Sequence, residues 1–402
     1  MKILAFDSAY RLSYIKKFGL ENLVQSRSVN NLFTKVYSAN YSSCLLNLRD
    51  KKYHGTLVYN LDRTCTLIES GVYKLPDFKI FNIISILISL ILFNIKLYKL
   101  VKDKKINVIR AEDPLINGLL GLFYAKILKT KLVTCVWGNP DLIRSNSNKP
   151  MMRFLFHKKI EESIEKFVLL RADNVFVSCK DDMDFVMKKG VKKNKVKFYS
   201  ITTAIEKCHF STEAQKYSLR EINEKNFNLV CVSRLEKLKN IQDLIYTMNI
   251  LCKKSSLYHL YFVGIGSYQN RLMELTQKYD LEGNIHFLGN KSQKWICKFI
   301  RSVDLIISPL TGRALLEGLL SGTTIVAYDV NIHKDYIINK VNGFLVENRN
   351  YQSLAEKIIY LNDNRNLITK VGAFARQDSL KKFNHEKNIK NQQEIFKAVI
   401  ED

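Results

Sequence analysis

DLIISPLTGRALLEGLLSGTTIVAYD, running from Asp304 to Asp329, reads as strand, tight loop, helix, short loop, strand. DLIIS and IVAY are short apolar runs bounded by turn residues, the pattern of strands buried on both faces. Between them Leu315, Leu316, Leu319 and Leu320 fall on one side of a helix. The loop SPLTG ends in Gly312, so the first free N–H groups of that helix, from Arg313 and Ala314, point into the loop mouth. A helix start carries roughly +0.5 of an elementary charge and suits a phosphate. One turn inside stands Glu317, a carboxylate able to accept two hydroxyls at once, as a ribose presents them. Phosphate at the tip and diol at the side are what a nucleotide diphosphate requires, and they point to a nucleotide-sugar site.

Outward from this stretch the alternation continues. NLVCVS (228–233), HLYFVG (259–264), NIHFLG (284–289) and GFLV (343–346) read as further strands. Helices are expected near 268–279, 292–302, 313–321, 351–363 and 365–380. Another begins at Asn240, read as an N-cap with Asp243 at the third position and Ile241, Leu244, Ile245, Met248 and Leu251 as the buried stripe. In the first half KILAF, GTLVYN, NVIRA, LVTCVW, NVFVS and VKFY alternate with helical stretches, among them 80–100 and about 150–170. Strands separated by helices imply parallel sheets with crossover helices. The polar, weakly periodic stretch near Ser200 to Asn226 reads as a connection. The expected organisation is an N-terminal domain over 1–200, a connection over 201–226, a C-terminal domain over 227–380 and a final helix over 381–402 that packs back on the first domain. The fold class is α/β, with two doubly wound Rossmann-like domains facing across a cleft.

Composition narrows the partners. Of 402 residues, 47% are apolar and 25% charged, as in soluble globular proteins, while the net charge of +25 is high. Nucleic acid, an anionic membrane face or phosphorylated substrates would each suit that charge. No RNP-like aromatic motif, zinc-finger spacing or arginine-rich tract is present, so no nucleic-acid partner is expected. Eight cysteines (44, 65, 135, 179, 208, 231, 252, 297) form no CxxC pair, and several sit inside apolar runs, which fits buried free thiols in a reducing cytoplasm. MKILAFDSAY reads as a first strand, its apolar run being too short for a signal peptide. Ile80 to Ile95 carries no charge. As a helix it would span about 24 Å, short of the ~30 Å hydrocarbon core. Asn82, Ser85 and Ser89 draw a thin polar stripe along it, and Lys79, Lys96, Lys99 and Lys102 flank it. A buried helix over a sheet, an in-plane membrane helix and a true span all remain open.

In SRLEKLKN, after NLVCVS, Arg234 and Lys239 lie past a strand's carboxyl end, where a guanidinium and an ammonium together can neutralise a diphosphate. A merely solvated basic loop is the plainer alternative, since Lys237 stands there too. Gly264 and Gly266 form a lone GxG after a strand, short of a fingerprint but able to let backbone approach a nucleotide. KDDMD (180–184) has the DxD spacing of metal-dependent transferases, yet directly after Ser178 its acids read as first-turn helix residues. No metal is expected.

In this order, SRLEKLKN, FVGIGSYQNRL, NIHFLG, DLIISPLTGRALLEGLLSGTTIVAYD and NGFLV resemble the nucleotide-binding half of family 4 glycosyltransferases of the GT-B fold. The resemblance covers about 228–375 and extends more loosely to NVIRAEDPLINGLLGLFYAKILKTKLVTCVWG and RADNVFVSCKDDMD. It implies that Arg234 and Lys239 match the family's phosphate-binding Arg and Lys. Glu317 matches the second Glu of its E-x7-E motif, which holds the ribose, and Gly312 the glycine whose neighbouring amides bind the distal phosphate. Several positions depart from the pattern. Pro309 stands where the first Glu would, leaving the sugar to Thr311 or Arg313, and Ser233 replaces a glycine. Trp137 occupies a customary histidine position, and DSAYRLS replaces the glycine-rich loop after the first strand. Asp7, Glu112, Asp113 and Asn139 are acceptor-side candidates from position alone.

The resulting expectation is a cytosol-facing glycosyltransferase, and the +25 charge and the Ile80–Ile95 helix would suit a peripheral place at the inner face of the plasma membrane. It would move a sugar from a nucleotide-sugar donor to a lipid-linked or polysaccharide acceptor, with retention and without metal or other cofactor. Catalysis rests on Arg234 and Lys239, and donor binding on Glu317, Gly312, Arg313, Ala314, Thr311 and Gly266. Two rivals share the architecture. One is a sugar-nucleotide 2-epimerase, for which His333 stands near the right loop. The other is a catalytically inert nucleotide-sugar-binding subunit, which Pro309 and Trp137 would suit.

Overall fold

A computed structural model describes all residues except 10, 43–54, 74–78, 142–143, 145–156, 212–218, 331 and 402. Cys44 and the expected helix start near Pro150 therefore lie outside the described residues. The chain divides into two compact units, Met1–Ser200 with Glu386–Asp402, and Ile201–His385.

The second unit holds six parallel strands: β9 (Phe227–Val232), β10 (Tyr258–Val263), β11 (Ile285–Gly289), β12 (Leu305–Ser308), β13 (Thr324–Tyr328) and β14 (Phe344–Val346). Their order is β11-β10-β9-β12-β13-β14. The chain starts at β9, steps outward twice, then returns to lay β12 on the other side of β9. Such a sheet opens a crevice at the reversal, outside the carboxyl ends of the two adjacent strands. Helices on both faces explain why the strands read as unbroken apolar runs. In β12, Ile307 faces a core with Leu229, Phe262, Leu244 and Met248, while Ile306 faces Val230, Val263 and the four leucines of the Arg313–Ser321 helix. Those leucines are fully buried, as their spacing requires. The expected cap at Asn240 is corrected: the helix runs Gln242–Lys254, and Asn240 sits in the left-handed region (φ 54°) after a 3-10 turn over Lys237–Lys239. Asn tolerates that conformation, and its carbonyl accepts the Asp243 amide instead of its side chain capping the helix.

The first unit is built on β1 (Lys2–Phe6), β2 (Lys35–Asn40), β3 (Leu57–Asn60), β4 (Cys65–Glu69), β5 (Val108–Ala111), β6 (Lys131–Val136), β7 (Asn174–Val177) and β8 (Val196–Phe198). Their order is β3-β4-β2-β1-β5-β6-β7-β8. Two strands, β2 and β4, lie beyond those read from the sequence, and GTLVYN supplies an antiparallel edge strand, β3, instead of a parallel one. The reversal here falls between β1 and β5. The His385–Glu401 helix packs into this unit: Phe396 meets Phe33 edge-on (5.1 Å between centroids) and Phe176 likewise (5.3 Å).

The helix Lys79–Val101 is turned opposite to a surface helix. Its serines face inward: Ser89 accepts the Tyr73 amide at 2.7 Å, and Ser85 donates to the Tyr73 carbonyl. Phe93, Leu97 and Val101 enter the core beside Leu4 and Ile109. Ile84, Leu87, Ile91, Leu92, Ile95 and Tyr98 are exposed, Ile91 to 59%.

Candidate functional site

Both loops singled out in the sequence leave the reversal point of the second sheet. Ser233–Asn240 follows β9 and Pro309–Gly312 follows β12, its neighbour. The first loop is clamped by main chain: Leu235 N donates to Ile265 O (3.0 Å), and Tyr268 N donates to Leu235 O (2.9 Å). A Cβ at Gly264 (φ +139°) would lie 2.0 Å from Ser233 O, and one at Gly266 2.2 Å from Leu235 O. Gly266, expected at the nucleotide, thus spends its missing side chain on the loop that bears Arg234. Glu236, the loop's acid, is drawn away to Ser267 (2.6 and 3.1 Å). Among the described residues, the Arg234 and Lys239 side chains make no hydrogen bond or ion pair. Burial and the Arg234 charge bring the Lys239 ammonium down to about 8. The two cations therefore repel each other across one space.

The second loop is fixed from below by His333, a fully buried residue. Its Nδ1 lies 2.8 Å from Tyr328 O, and its Nε2 faces both the amide and the carbonyl of Thr311 (3.2 and 2.9 Å). Burial holds this imidazole below its ordinary pKa, in the neutral form. Thr311 also shares a hydrogen bond with Ser308. Its amide and hydroxyl are thus turned inward, not toward a sugar. His333, engaged on both nitrogens, is not placed as a free acid or base of an epimerase.

Gly312 opens the Arg313–Ser321 helix, and Glu317 lies buried in its second turn. Arg313 Nε donates to Glu317 Oε1 at 2.9 Å. The Gln293 amide, oriented by its neighbours, donates to the same oxygen (3.2 Å) and accepts from Arg313 (3.1 Å). Both contacts fall on Oε1, and among the described residues Oε2 has none. Arg313 acts on Glu317 here, so neither it nor Thr311 is poised for the position vacated by Pro309.

At the reversal point of the first sheet the candidates Asp7 and Glu112 meet, and both are paired with buried arginines. Arg27, also buried, pairs with Asp7 and reaches Glu112 at 3.3 Å. Arg110 pairs with Glu112 at 2.9 Å and lies over the Tyr199 ring at 5.1 Å. Trp137 donates its indole N–H to Glu112 at 2.9 Å. Burial raises the Asp7 carboxyl against the pull of Arg27. At Glu112 burial acts the same way, but Arg110 and Arg27 prevail and lower it. Asp113 is pushed up to about 6 by burial and bonds Asn117, and Asn139 accepts the Asp141 amide. In KDDMD, Asp182 accepts from Gly138 N (3.0 Å) and Ser178 Oγ (2.8 Å), as a first-turn helix acid does. Sequence reading missed Arg27 and Gln293, which no local motif marks.

These features define an α/β protein of the GT-B class. Residues 214–378 match the family model described as Glycosyl transferases group 1. Over 344 residues the chain is 26% identical to an uncharacterized glycosyltransferase of Methanocaldococcus jannaschii, covering 82% of this chain and 84% of that one. It is 24% identical to the alpha-monoglucosyldiacylglycerol synthase of Streptococcus pneumoniae over 271 residues, 62% of this chain and 58% of the other. The solved structure of Anabaena HepE in complex with UDP-glucose superposes with a TM-score of 0.73 at 15% identity, covering 99% of this chain and all of that one. The protein is a glycosyltransferase.

Proposed function

We propose that the enzyme transfers a sugar from a nucleoside diphosphate donor bound at the reversal point of the second sheet, as a variant of the family 4 type that retains anomeric configuration. One observation carries this reading: two cations, unpaired among the described residues, share that point with an open helix start and a half-used buried carboxylate. Arg234 and Lys239 would take the diphosphate, the amides of Gly312, Arg313 and Ala314 its distal end, and Glu317 Oε2 the ribose diol. As the glycosidic bond breaks, the electron pair goes to the phosphate oxygen. Arg234, Lys239 and the helix start stabilise that charge. The departing phosphate takes the acceptor's proton, so no enzyme nucleophile or metal is required. A UDP-sugar is the first donor to try, since the structural neighbour binds UDP-glucose.

The acceptor is lipid-linked or a surface polysaccharide, used at the inner face of the membrane, with the first unit as the acceptor-binding domain. The exposed apolar stripe of the Lys79–Val101 helix continues through Phe123 and Ile127 of the Ile116–Leu128 helix, which touches it where Tyr124 donates to Asn94 O (3.0 Å). Lys99, Lys102, Lys126 and Lys129 border it, a face suited to an anionic bilayer. That Phe93, Leu97 and Val101 are held in the core supports a helix lying in the membrane plane over one that crosses it. A thermal-shift panel of nucleotides and nucleotide sugars tests the donor half: a diphosphate nucleotide should raise Tm by mass action, and Arg234→Ala should remove the shift. Flotation with anionic vesicles tests the other half, and equal binding to neutral vesicles at high salt would oppose it.

A further inference from the structure

A cluster of soft donors lies in the second unit beneath Gln293. Cys208 and His209 sit on the 3-10 turn Lys207–Phe210, and Cys297 on the Gln293–Ile300 helix. One donor atom from each lies within 4.8 Å of the other two. His209 is 1% exposed, and its Nδ1 is buried without a hydrogen-bond partner. A buried ring nitrogen is rarely left so, because it has lost its water and gained no partner in return. Two thiols and an imidazole form a donor set that zinc takes readily.

We propose that Cys208, His209 and Cys297 bind one zinc ion, distinct from the donor site. Zn–S and Zn–N bonds of about 2.3 and 2.0 Å would set the donors about 3.5–4 Å apart, so closure draws the side chains in by no more than about 1 Å. Two thiolates neutralise the ion, the protons of their thiols pass to solvent, and no electron transfer occurs. Without metal, the Gln293 amide donates to His209 Nε2 at 3.2 Å, which leaves the ring proton on the orphaned Nδ1. Metal on Nδ1 moves that proton to Nε2, and the Gln293 amide turns over so that its oxygen, at the same 3.2 Å, accepts it, giving up the amide's bonds to Glu317 Oε1 and Arg313. That is the outer contact a metal-bound imidazole needs. The backbone carrying the ligands is already held, because Arg301 donates to Cys208 O (3.3 Å) and His209 O (3.5 Å). Three protein ligands leave the fourth position to water.

The test is metal analysis of the full chain purified under reducing, chelator-free conditions, followed by cobalt titration of chelator-stripped protein. One zinc per chain is expected, with a thiolate-to-cobalt absorption band on substitution. His209→Gln and Cys208→Ser should each lower cobalt affinity at least tenfold, while Cys65→Ser, in the first unit, should not. Cys208 is half-buried, so its variant keeps the test valid if replacing the buried Cys297 unfolds the chain. Sub-stoichiometric zinc with no cobalt band overturns the proposal, as does cobalt binding unchanged in both variants. Quantitative Cys208–Cys297 disulfide formation in place of metal uptake would overturn it too. Loss of nucleotide binding bears on the donor site and not on this one.

Discussion

The two sheets reverse direction in the same way and treat charge at the reversal in opposite ways. Between β1 and β5, Asp7 and Glu112 are matched by Arg27 and Arg110, and even the indole of Trp137 is drawn in. Between β9 and β12, Arg234 and Lys239 stand together with no acid paired to them among the described residues, the nearby Glu236 being held by Ser267. Glu317 is half satisfied by Arg313. A self-neutralised crevice contributes to its own fold, whereas an unneutralised one holds its charge for something that arrives. The fold provides both crevices, and the pairing decides which is left open to a ligand.

The comparison can be broken most directly in the first unit. Arg27→Met should cost about 3–5 kcal/mol of stability in denaturant melts, because it leaves buried carboxylates uncompensated. A cost below about 1 kcal/mol would mean the cluster is not self-sufficient. In the second unit, Lys239→Ala should lose about 2–4 kcal/mol of transition-state stabilisation, read as kcat/KM at saturating acceptor, with folding intact. Activity surviving the double Arg234→Ala, Lys239→Ala change would reverse the assignment. Glu317→Gln should weaken donor binding by about 1.5–3 kcal/mol, the range for a hydrogen bond to a charged group, seen in KM for the donor more than in kcat.

Proton linkage sharpens the contrast further. With Lys239 near 8, its charge is present below that pH and lost above it. Donor affinity should therefore fall as pH rises past about 8, and Lys239→Arg should flatten the profile. The sign for stability is the reverse. The unfolded lysine keeps its proton up to about 10.4, so the cost of charging Lys239 in the fold is complete below pH 8 and fades between about 8 and 10.4. Lys239→Met should accordingly raise Tm of the ligand-free protein near neutral pH, by about 2–4 °C per kcal/mol relieved, while weakening donor binding. A lowered Tm would mean that no strain is held there.

Much of the second unit was legible because local signals agree: the four leucines of 315–320, the strand runs and the loop ending in Gly312 all point one way. Asn240 misled because a good capping residue is equally at home in the left-handed turn before the helix. In the first unit β2 and β4 were missed because KVYSAN and CTLIE are short and mixed in polarity. The cluster at Asp7 was invisible for another reason: Arg27 meets its partners only after the sheet brings distant segments together. The same holds for Cys208 and Cys297, 89 positions apart. An adjacent Cys–His pair was the one trace of that cluster in the sequence.

Under the proposed reading of a membrane-seated enzyme with a lipid-borne acceptor, the outward-turned stripe of the Lys79–Val101 helix would change the dimension of the enzyme's search. Once its isoleucines and leucines are seated in a leaflet, encounters with a lipid-borne acceptor proceed by lateral diffusion. Turnover then follows the number of acceptors per unit of bilayer area, and diluting them with inert lipid slows the reaction even when their bulk concentration is unchanged.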